Sequence, residues 1–578
     1  MSKSSKLLFI YALIITPISI YFVANYFWLD NLNDSNLNGN GYFAPEIIEY
    51  KNATYMIRMR DGVRLATDVY LPNKTGTFPM ILIRTPYGKE QLREAASNLL
   101  PIGIGLIVQD FRGCHDSEGI FDAFGSEGRD ALDTINWVKN QLWFNGRIGS
   151  YGGSALSIAQ YCQIPYLDDL CYQDLYVGTP NIFDHFFYQG GAPRKMLLEN
   201  WLDIIDHSCY YSTILDHNLN IDPYAYARRI DDYEWSNITW PSIHTGGWYD
   251  IFSQGTIDGF MGYQYKGGFG GADNAKLVMG PWTHNTGTNI SGELEYPINA
   301  NYNPYIDIFI AMFGEKVLDR YDLGDYRTMP NVTYYVMGDV KNLSNDWNKW
   351  ATSEVWPVPY INQTWYFHKN SSLNITPPSE FESCLKDYLF NPTIPVATRG
   401  GANLFHEYIG PCNQTPVEDG RPDILQFEYN ITSPLLITGR IYGHLYISSN
   451  CTDTDFTVKL CDVYPDGTPM LIADGILRMR YRKGRDHEEF MDGSGSTVYE
   501  AYIDLWSTSY VFNAGHRIRV SISSSNYPRF DVNPNTGKNV EPLNMGDEFF
   551  YANNSLIISP DHPSSIIFPI PLNAPNFI

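Results

Sequence analysis

The sequence predicts an α/β domain built on a parallel sheet, followed by a second, β-rich domain. Two patterns predict this fold class. Before about Thr352, apolar runs of strand length alternate with helical patterns, which is typical of parallel α/β folds. Beyond that point, short β-rich runs are separated by Pro, Gly, Asn and Asp, and helical patterns become scarce, which is the composition of a β-sandwich or jelly roll.

Length and composition agree with a large folded protein. The chain has 578 residues, whereas a single domain usually holds about 100–200, so two to four domains are expected. Hydrophobic residues make up 44% and aromatic residues 15%, too many for a disordered protein. The net charge of −24 repels phosphate backbones, and the basic run Arg478–Arg485 is short, so nucleic acid is excluded as a partner. We interpret that run as a strand end that packs on carboxylates.

The elements of the α/β domain follow from apolar runs, helical periodicity and glycine breaks. Ser126 is expected to cap a helix whose apolar residues recur at helical spacing. Asn145-Gly146 ends that helix. The predicted order is strand Met80–Arg84, strand Gly105–Gln109, helix Glu127–Phe144, strand Arg147–Tyr151 and helix Ala155–Tyr161.

A helical, aromatic-rich segment then interrupts the alternation. It includes the helical pattern of Lys195–His207, and strand-like runs resume only at Trp240–Gly246 and Ala275–Gly280. We interpret it as an insertion in the α/β domain. The predicted divisions are a membrane or signal segment at 1–28, a linker at 29–45, the α/β domain at 46–182 and 232–352, the helical insertion at 183–231, and the β-rich domain at 353–578.

The N-terminal segment has the length and flanks of a membrane anchor. Leu7–Trp28 contains no charged residue and as a helix would reach about 33 Å. Lys3 and Lys6 precede it, whereas Asp30 and Asp34 follow it. The positive-inside rule then predicts a single span with the body lumenal or extracellular. A cleaved signal peptide, which would leave the body secreted, and an ordinary buried helix are the alternatives.

Cysteines and glycosylation signals bear on the same question. Eight cysteines form an even set without zinc-ligand spacing, and Cys451 with Cys461 is a pair close in sequence. One or two disulfides are expected in an extracellular body, although eight cysteines are equally ordinary for reduced thiols. Fourteen Asn-x-Ser/Thr signals suit a glycoprotein, although an Asn-rich chain also produces such signals by chance.

The most informative junction for chemistry is the segment Gly149–Ser157. A strand that meets a helix through Gly152-Gly153 must turn sharply, which would expose Ser154 at the apex beside a helix N-terminus. That arrangement is a nucleophile elbow, although the usual pattern has glycine where this chain has Leu156. Taken alone, Gly-Gly-Ser is also a common turn.

A serine hydroxyl needs a base and a carboxylate before it can act as a nucleophile. Asp250 and His284 each follow a strand-like run, in the chain order Ser, Asp, His that such elbows use. His284 would accept the Ser154 proton, and Asp250 would orient the imidazole. The alternative is that Asp250 only caps a helix and that His284 is a surface loop residue, with no catalytic role for either. The Ala155 N–H and the Tyr87 hydroxyl are candidate donors to an oxyanion.

These residues stand within a wider resemblance. From about Tyr55 to Pro569 the chain resembles the cocaine esterase and X-Pro dipeptidyl-peptidase group of α/β-hydrolases, and is most similar to the acyl hydrolases called CocE/NonD. The segments that carry the resemblance are Met59–Pro72, Arg84–Gly88, Gln109–Gly113, Ser117–Gly119, Trp143–Gly149, Gly247–Asp250, Gly280–His284, Asp453–Phe456, Asp462–Gly467, Arg478–Arg482, Gly515–Arg517, Ser523–Arg529 and Asn533–Gly537.

The resemblance implies a serine hydrolase with the catalytic residues Ser154, Asp250 and His284, and with Tyr87 and the Ala155 amide as oxyanion donors. It implies a helical cap inserted in an α/β-hydrolase domain. A C-terminal jelly roll of the galactose-binding-like type would help to wall the site. It implies no metal and no organic cofactor.

Two departures from the family pattern lie beside the nucleophile. Ala155 replaces a usual tyrosine, which removes a ring from the pocket wall but keeps the backbone donor. Ser157 replaces a usual glycine, which is expected to crowd the packing of the helix against the sheet.

The substrate follows from the residues around the catalytic carboxylate. Relatives that act on α-amino acyl groups place extra carboxylates there, whereas this chain has Phe252 and Ser253. We therefore expect a small neutral ester or amide substrate, in a pocket lined by Trp248, Phe252 and Trp282. An X-Pro dipeptidyl-peptidase is the alternative enzyme, and an inactive hydrolase fold that binds carbohydrate is the alternative from another class. The oligomeric state stays open.

Overall fold

The computed structural model describes residues 51–341, 346–538 and 546–578. The predicted membrane or signal segment and the linker at 29–45 lie outside the described residues. Within the described ranges, no helix has both the length and the apolar composition that a bilayer crossing needs. The helices are α1 Arg93–Leu99, α2 Glu127–Lys139, α3 Ala155–Tyr161, α4 Lys195–Ile204, α5 Tyr210–Asp216, α6 Pro223–Tyr226, α7 Ser253–Lys266, α8 Tyr305–Lys316 and α9 Thr415–Glu418.

An eleven-stranded sheet organises the first domain. Its strand order is β1-β2-β4-β3-β5-β6-β9-β10-β13-β14-β26, where β26 is Asn576–Phe577 near the end of the chain. Strands up to residue 353 are β1 Lys51–Arg58, β2 Arg64–Leu71, β3 Phe78–Thr85, β4 Gly105–Asp110, β5 Phe144–Gly153, β6 Tyr172–Tyr176, β7 Tyr188–Gln189, β8 Ala192–Pro193, β9 Ser242–Gly247, β10 Ala275–Gly280, β11 Ile290–Ser291, β12 Leu294–Glu295, β13 Val332–Val336 and β14 Lys349–Ser353.

The seven central strands of this sheet run parallel, from β4 across to β13. Strands β4, β9 and β10 are buried at every residue, as expected where helices cover both faces of a parallel sheet. Because the strands are parallel, the loops that leave β3, β5, β9 and β10 emerge at one edge of the sheet. The predicted parallel α/β fold is confirmed.

Two expectations about the helix at residue 127 are wrong. α2 ends at Lys139, not at Phe144, because the chain turns at Asn140 and Phe144 already begins β5. Leu142 is accordingly 96% exposed. Ser126 does precede the helix, but its side chain makes no capping hydrogen bond and its hydroxyl donates to Asp122 instead.

Between β6 and β9 the chain forms the helices α4, α5 and α6, after a π-helical turn at Phe183–Phe187. The segment buries large aromatic side chains against the α/β domain, among them Phe186 and Trp201. This helical segment lies where the aromatic-rich pattern of the sequence predicted an insertion. Its helices lie over the sheet edge from which the loops after β3 and β9 emerge, since Trp201 contacts Tyr87 and Phe186 contacts Phe252.

The second domain is a β-sandwich. One sheet has the path β16-β15-β25-β19-β24-β17 with β22 paired to β19, and the other has the order β18-β23-β20-β21. All of these pairings are antiparallel. The strands of the sandwich are β15 Tyr360–Phe367, β16 Leu373–Asn374, β17 Cys384–Phe390, β18 Leu425–Asn430, β19 Leu435–Ser449, β20 Asp455–Val463, β21 Pro469–Arg478, β22 Tyr499–Phe512, β23 Arg517–Ser523, β24 Ala552–Ile558 and β25 Ser565–Pro571.

The end of the chain departs from the predicted division at 353. Strand β26 does not join the sandwich but pairs with β14 at the edge of the large sheet, with Phe577 opposite Ala351. The chain thus returns to the first domain after completing the second. Backbone pairing at an otherwise open sheet edge explains this return, and it left no signal in the sequence.

Partly buried ion pairs join the β-sandwich to the helical insertion. Arg485 Nη1 lies 2.7 Å from Asp184 Oδ1, and Lys195 Nζ lies 3.3 Å from Asp531 Oδ1. Arg478 pairs with Asp455 inside the sandwich at 2.9 Å. The basic run therefore packs on carboxylates, as expected from the sequence.

The expected disulfides are not formed. All eight cysteines carry free thiols, and Cys451 and Cys461, the pair singled out from the sequence, are both buried without an S–S bond. Cys461 lies within β20, whereas Cys451 precedes that strand and its thiol donates to Tyr551 O.

Candidate active site

Ser154 stands at a strained turn between β5 and α3. Its φ is 57° and its ψ is −126°, a conformation that costs a non-glycine residue of order 1–3 kcal/mol and is held only where the surroundings enforce it. The Ser154 N–H donates to Tyr176 O at 3.1 Å, which fixes the turn to β6. Gly152 cannot carry a side chain, because a Cβ there would lie 2.5 Å from Leu156 Cβ. This is the geometry of a nucleophile elbow.

Asp250 and His284 are joined directly. His284 Nδ1 lies 2.5 Å from Asp250 Oδ2, and both side chains are almost wholly buried. The second carboxylate oxygen, Asp250 Oδ1, accepts a hydrogen bond from Phe252 N–H at 2.8 Å. With Nδ1 committed to the carboxylate, Nε2 is the ring nitrogen left to exchange a proton.

The loops that carry these two residues are bonded to each other. Trp248 N–H donates to Gly280 O and Tyr249 N–H donates to Trp282 O, both at 2.9 Å. The two loops leave β9 and β10, which are neighbours in the sheet. Adjacent parallel strands and the hydrogen bonds between their loops therefore bring a carboxylate and an imidazole 34 residues apart into contact.

Ser154 and His284 line one cavity together with both candidate oxyanion donors, Tyr87 and Ala155. Among the described residues, no hydrogen bond joins the Ser154 hydroxyl to the His284 ring. Catalytic hydrogen bonds are often long before substrate binds. Ala155 is the first residue of α3, so its N–H has no acceptor within the helix and is available to a ligand.

The cavity is small and apolar. Its volume is about 10 Å³, close to that of one water-sized sphere. Its remaining walls carry no carboxylate, and they come from α3, the insertion, the loop after β9 and the C-terminal domain. They are Ile158, Phe186, Leu197, Trp201, Ile251, Phe252, Leu404 and Phe405.

A wider cleft of about 570 Å³ adjoins this cavity and shares His284 and Leu404 with it. Glu293 and Glu407 also line the cleft. The imidazole thus lines both a tight apolar chamber and a wider, more open cleft, which suits a base that exchanges protons with an entering or leaving group.

Two of the three residues expected to line the pocket lie elsewhere. The Trp248 indole N–H donates to Tyr335 O at 2.8 Å, and the Trp282 indole N–H donates to Ala300 O at 3.0 Å. Both rings are buried in the core of the α/β domain, where these carbonyls satisfy their N–H groups. Only Phe252 of the expected set reaches the cavity.

The walls that the sequence did not indicate come from distant segments. Phe186, Leu197 and Trp201 belong to the helical insertion, whereas Leu404 and Phe405 belong to a loop of the C-terminal domain. The aromatic richness of the insertion was the only sequence signal for any of them.

Comparison with known families matches both domains. The model of the X-Pro dipeptidyl-peptidase (S15) family matches residues 61–212 and 195–286. The model of the X-Pro dipeptidyl-peptidase C-terminal non-catalytic domain matches residues 326–567.

Individual relatives match over almost the whole chain. The cocaine esterase of Rhodococcus sp. (strain MB1 Bresler) is 30% identical over 583 residues, covering 89% of this chain and 97% of that protein. A putative serine esterase of Mycobacterium bovis is 23% identical, covering 83% and 91%.

Solved structures show the same architecture. An α-amino acid ester hydrolase superposes with a TM-score of 0.74 at 22% identity, covering 93% of this chain and 99% of that one. A CocE/NonD family hydrolase from Staphylococcus aureus superposes with a TM-score of 0.68 at 17% identity, covering 90% and 93%. These likenesses confirm an α/β-hydrolase fold with a C-terminal β-rich domain.

Proposed function

Because the chain belongs to the family of cocaine esterase and the X-Pro dipeptidyl-peptidases, serine hydrolases of ester or amide bonds, we propose that Ser154 is its nucleophile. His284 is the general base and Asp250 the carboxylate that orients it. The observation that carries this assignment is the 2.5 Å contact between His284 and Asp250 at the wall of the cavity that Ser154 lines.

The proposed reaction passes through an acyl-enzyme. Ser154 Oγ attacks the carbonyl carbon while its proton moves to His284 Nε2, and Asp250 stabilises the imidazolium that forms. The carbonyl oxygen becomes an oxyanion that accepts hydrogen bonds from the Ala155 N–H and the Tyr87 hydroxyl. The protonated imidazole then passes its proton to the leaving alcohol or amine. Water, deprotonated by the same imidazole, releases the acid and restores Ser154.

Covalent labelling tests the nucleophile. A fluorophosphonate probe is expected to label the wild-type protein at Ser154 and to leave Ser154→Ala unlabelled. Ser150→Ala is a matched control, because Ser150 lies on β5, the strand that leads to Ser154, but its hydroxyl is buried and donates to Gln160 at 2.9 Å. Equal labelling of the wild type and Ser154→Ala would reject the assignment.

The acyl group is proposed to be short and neutral. A cavity of about 10 Å³ walled by Phe, Leu, Ile and Trp side chains accepts a small apolar group with the least displacement. No carboxylate lines it to hold an ammonium group. Nitrophenyl acetate and butyrate are expected to give a higher kcat/KM than nitrophenyl decanoate. A preference for the long chain would contradict this proposal.

An X-Pro dipeptidyl-peptidase is the second candidate, and the match to that family's catalytic-domain model favours it. Such an enzyme holds a free α-amino group, for which this cavity offers no acidic partner. We therefore expect Ala-Pro-nitroanilide to be cleaved more slowly than nitrophenyl butyrate. Faster cleavage of the dipeptide would reverse the order of the two candidates.

The body is proposed to be glycosylated and either anchored in a membrane or secreted. The uncharged segment Leu7–Trp28 supports this location. Glycan acceptors must be exposed, and the described sequon asparagines that are exposed are Asn52, Asn73, Asn362, Asn370, Asn374, Asn430, Asn450 and Asn553.

Deglycosylation and membrane extraction test this location in a eukaryotic host. Digestion with an N-glycosidase is expected to lower the apparent mass, and the protein is expected to stay with membranes in alkaline carbonate if the segment is an anchor. An unchanged mass together with recovery in the cytosol would refute the proposal.

A further inference from the structure

The hydroxyl of Tyr87 has a partner from the helical insertion. Trp201 Nε1 donates a hydrogen bond to Tyr87 Oη at 3.1 Å, although 114 residues separate them. Both side chains are buried, at 8% exposure for Tyr87 and 4% for Trp201, and both line the cavity that holds Ser154. This hydrogen bond links α4 to the loop that follows β3.

The direction of that hydrogen bond determines what the tyrosine can do. An indole N–H only donates, so Tyr87 Oη is necessarily the acceptor. The phenolic proton is then free to point elsewhere, and among the described residues no group accepts it. Tyr87 lines the same cavity as Ser154 and Ala155, so a substrate carbonyl in that cavity is the acceptor to which the free phenolic proton can turn.

We propose that Trp201 is a positioning residue for the oxyanion site, which holds Tyr87 as a donor toward the carbonyl oxygen that Ser154 attacks. This inference rests on the proposed function. Trp201 would occupy the acceptor side of the hydroxyl and so prevent Tyr87 from turning its proton away from the substrate.

The electrostatics favour the same arrangement. Burial raises the pKa of Tyr87, which makes the phenol a weaker acid, and the Trp201 N–H opposes that rise. A donor bound to a hydroxyl oxygen also strengthens the hydrogen bond that the hydroxyl itself donates. The indole is thus expected to strengthen as well as to orient the donor.

The indole is itself held in place by packing. Trp201 stacks on Phe124 with centroids 5.5 Å apart and an interplanar angle of 9°, and Phe186 meets it edge-on at 4.9 Å. The start of its helix is fixed by Arg194, whose Nη1 donates to Ile251 O at 2.8 Å, one residue beyond Asp250. The insertion therefore carries a rigid donor to the site rather than only covering it.

A simpler role for Trp201 is that of a pocket wall, and a double-mutant cycle separates the two roles. Tyr87→Phe is expected to lower kcat by about 100- to 1,000-fold, as loss of one oxyanion donor does. Trp201→Phe keeps an aromatic ring but loses the N–H, and is expected to lower kcat by about 10-fold with KM changed less than about 3-fold. In the Tyr87→Phe background, Trp201→Phe should change kcat less than about 2-fold.

A matched wall variant and a second substitution sharpen the test. Phe405→Leu alters the same cavity but removes no hydrogen-bond donor. Its effect on kcat should therefore be equal in the wild-type and Tyr87→Phe backgrounds. The side chain introduced by Trp201→His is smaller than the one introduced by Trp201→Phe, but its Nε2–H can replace the indole N–H as the donor to Tyr87 Oη. Positioning predicts that Trp201→His keeps the higher kcat, whereas wall packing predicts the opposite order, and thermal unfolding verifies that each variant is folded.

Each outcome has a distinct meaning. Loss of the Trp201→Phe effect in the Tyr87→Phe background supports the inference. Equal Trp201→Phe effects in both backgrounds, or no effect on the wild type, overturn it and leave the proposed function intact. An unchanged kcat in Tyr87→Phe would overturn it together with the oxyanion role of Tyr87, while labelling of Ser154 would still test the nucleophile separately.

Discussion

The side chain of Ser157 occupies the space that the absence of a side chain at Gly178 leaves open. A Cβ on residue 178 would lie 2.2 Å from Ser157 Oγ and 2.6 Å from Ser157 Cβ. Ser157 is fully buried, and its hydroxyl has no hydrogen-bond partner among the described residues. The expected crowding of α3 against the sheet is thus relieved by a glycine in the loop after β6.

This fit predicts a reciprocal pair of substitutions. Gly178→Ala is expected to lower the free energy of unfolding by about 1–3 kcal/mol, because the new methyl group overlaps Ser157. Adding Ser157→Gly should recover most of that loss, since it removes both clashing atoms. Urea unfolding of the single and double variants measures both effects. If Gly178→Ala and the double variant lost the same free energy of unfolding, the side chains at positions 157 and 178 would not compete for this space.

Asp250→Asn tests the orienting carboxylate without changing side-chain volume. The amide cannot stabilise an imidazolium, and its NH₂ group favours the wrong histidine tautomer, so kcat is expected to fall by about 10,000-fold. Asp232→Asn is a matched control, because Asp232 is exposed and forms an ion pair with the exposed Lys266. A loss below tenfold in Asp250→Asn on a nitrophenyl ester would mean that His284 is not oriented by this carboxylate.

Leu197 is expected to limit the length of the acyl chain. It lines the cavity from α4, whereas Leu202 on the same helix is buried and lies outside the cavity lining. Leu197→Ala should raise the kcat/KM ratio of hexanoate to acetate esters, because it adds room for about three carbon atoms. Both substitutions should lower the free energy of unfolding by about 2–5 kcal/mol, but Leu202→Ala should leave the kcat/KM ratio unchanged. A shift of the ratio in both variants would point to general loosening of the insertion.

His516 is expected to make stability depend on alkaline pH. It lies 2.9 Å from Asp462 and 3.5 Å from Asp339, and these carboxylates raise its pKa from 6.5 to about 9 despite burial. A histidine with a raised pKa stabilises the fold fully below pH 6.5 and loses that contribution as the pH rises through 9.

The difference in unfolding free energy between the wild type and His516→Gln should therefore be largest below pH 6.5. The difference should decrease between pH 6.5 and pH 9, and above pH 9 it should be smaller by at most about 3 kcal/mol. His487→Gln, at an exposed position, serves as the control. A difference that stays constant from pH 6 to pH 10 would mean that the imidazolium does not contribute.

The order of elements was predictable because it depends on local patterns. Two predicted elements coincide with the observed ones: the strand Ala275–Gly280 is β10 and the helix Ala155–Tyr161 is α3. An apolar run indicated the strand, and a glycine turn indicated the start of the helix. The end of α2 was predicted five residues too late, because apolar spacing continued past the turn at Asn140. Local periodicity cannot show where a chain leaves a helix to join a sheet.

The three candidate catalytic residues could be named from their places after strand-like runs and from the family resemblance. Their meeting point could not be derived from those runs, since it depends on β9 and β10 being neighbours and on hydrogen bonds between their loops. The indoles of Trp248 and Trp282 show the same limit. Each lies within two residues of a candidate catalytic residue, yet each points to a core carbonyl and not to the cavity.

By itself, the sequence determined the fold class and the family and named the candidate catalytic side chains, because these depend on periodicity and on residues adjacent along the chain. Only the tertiary structure decided how wide the acyl cavity is, which distant walls close it, and which group holds the Tyr87 hydroxyl. Leu404, Phe405 and Trp201 meet at Ser154 from two other parts of the chain. Packing between segments that are remote in sequence is fixed by shape and burial, for which no single segment carries a local pattern.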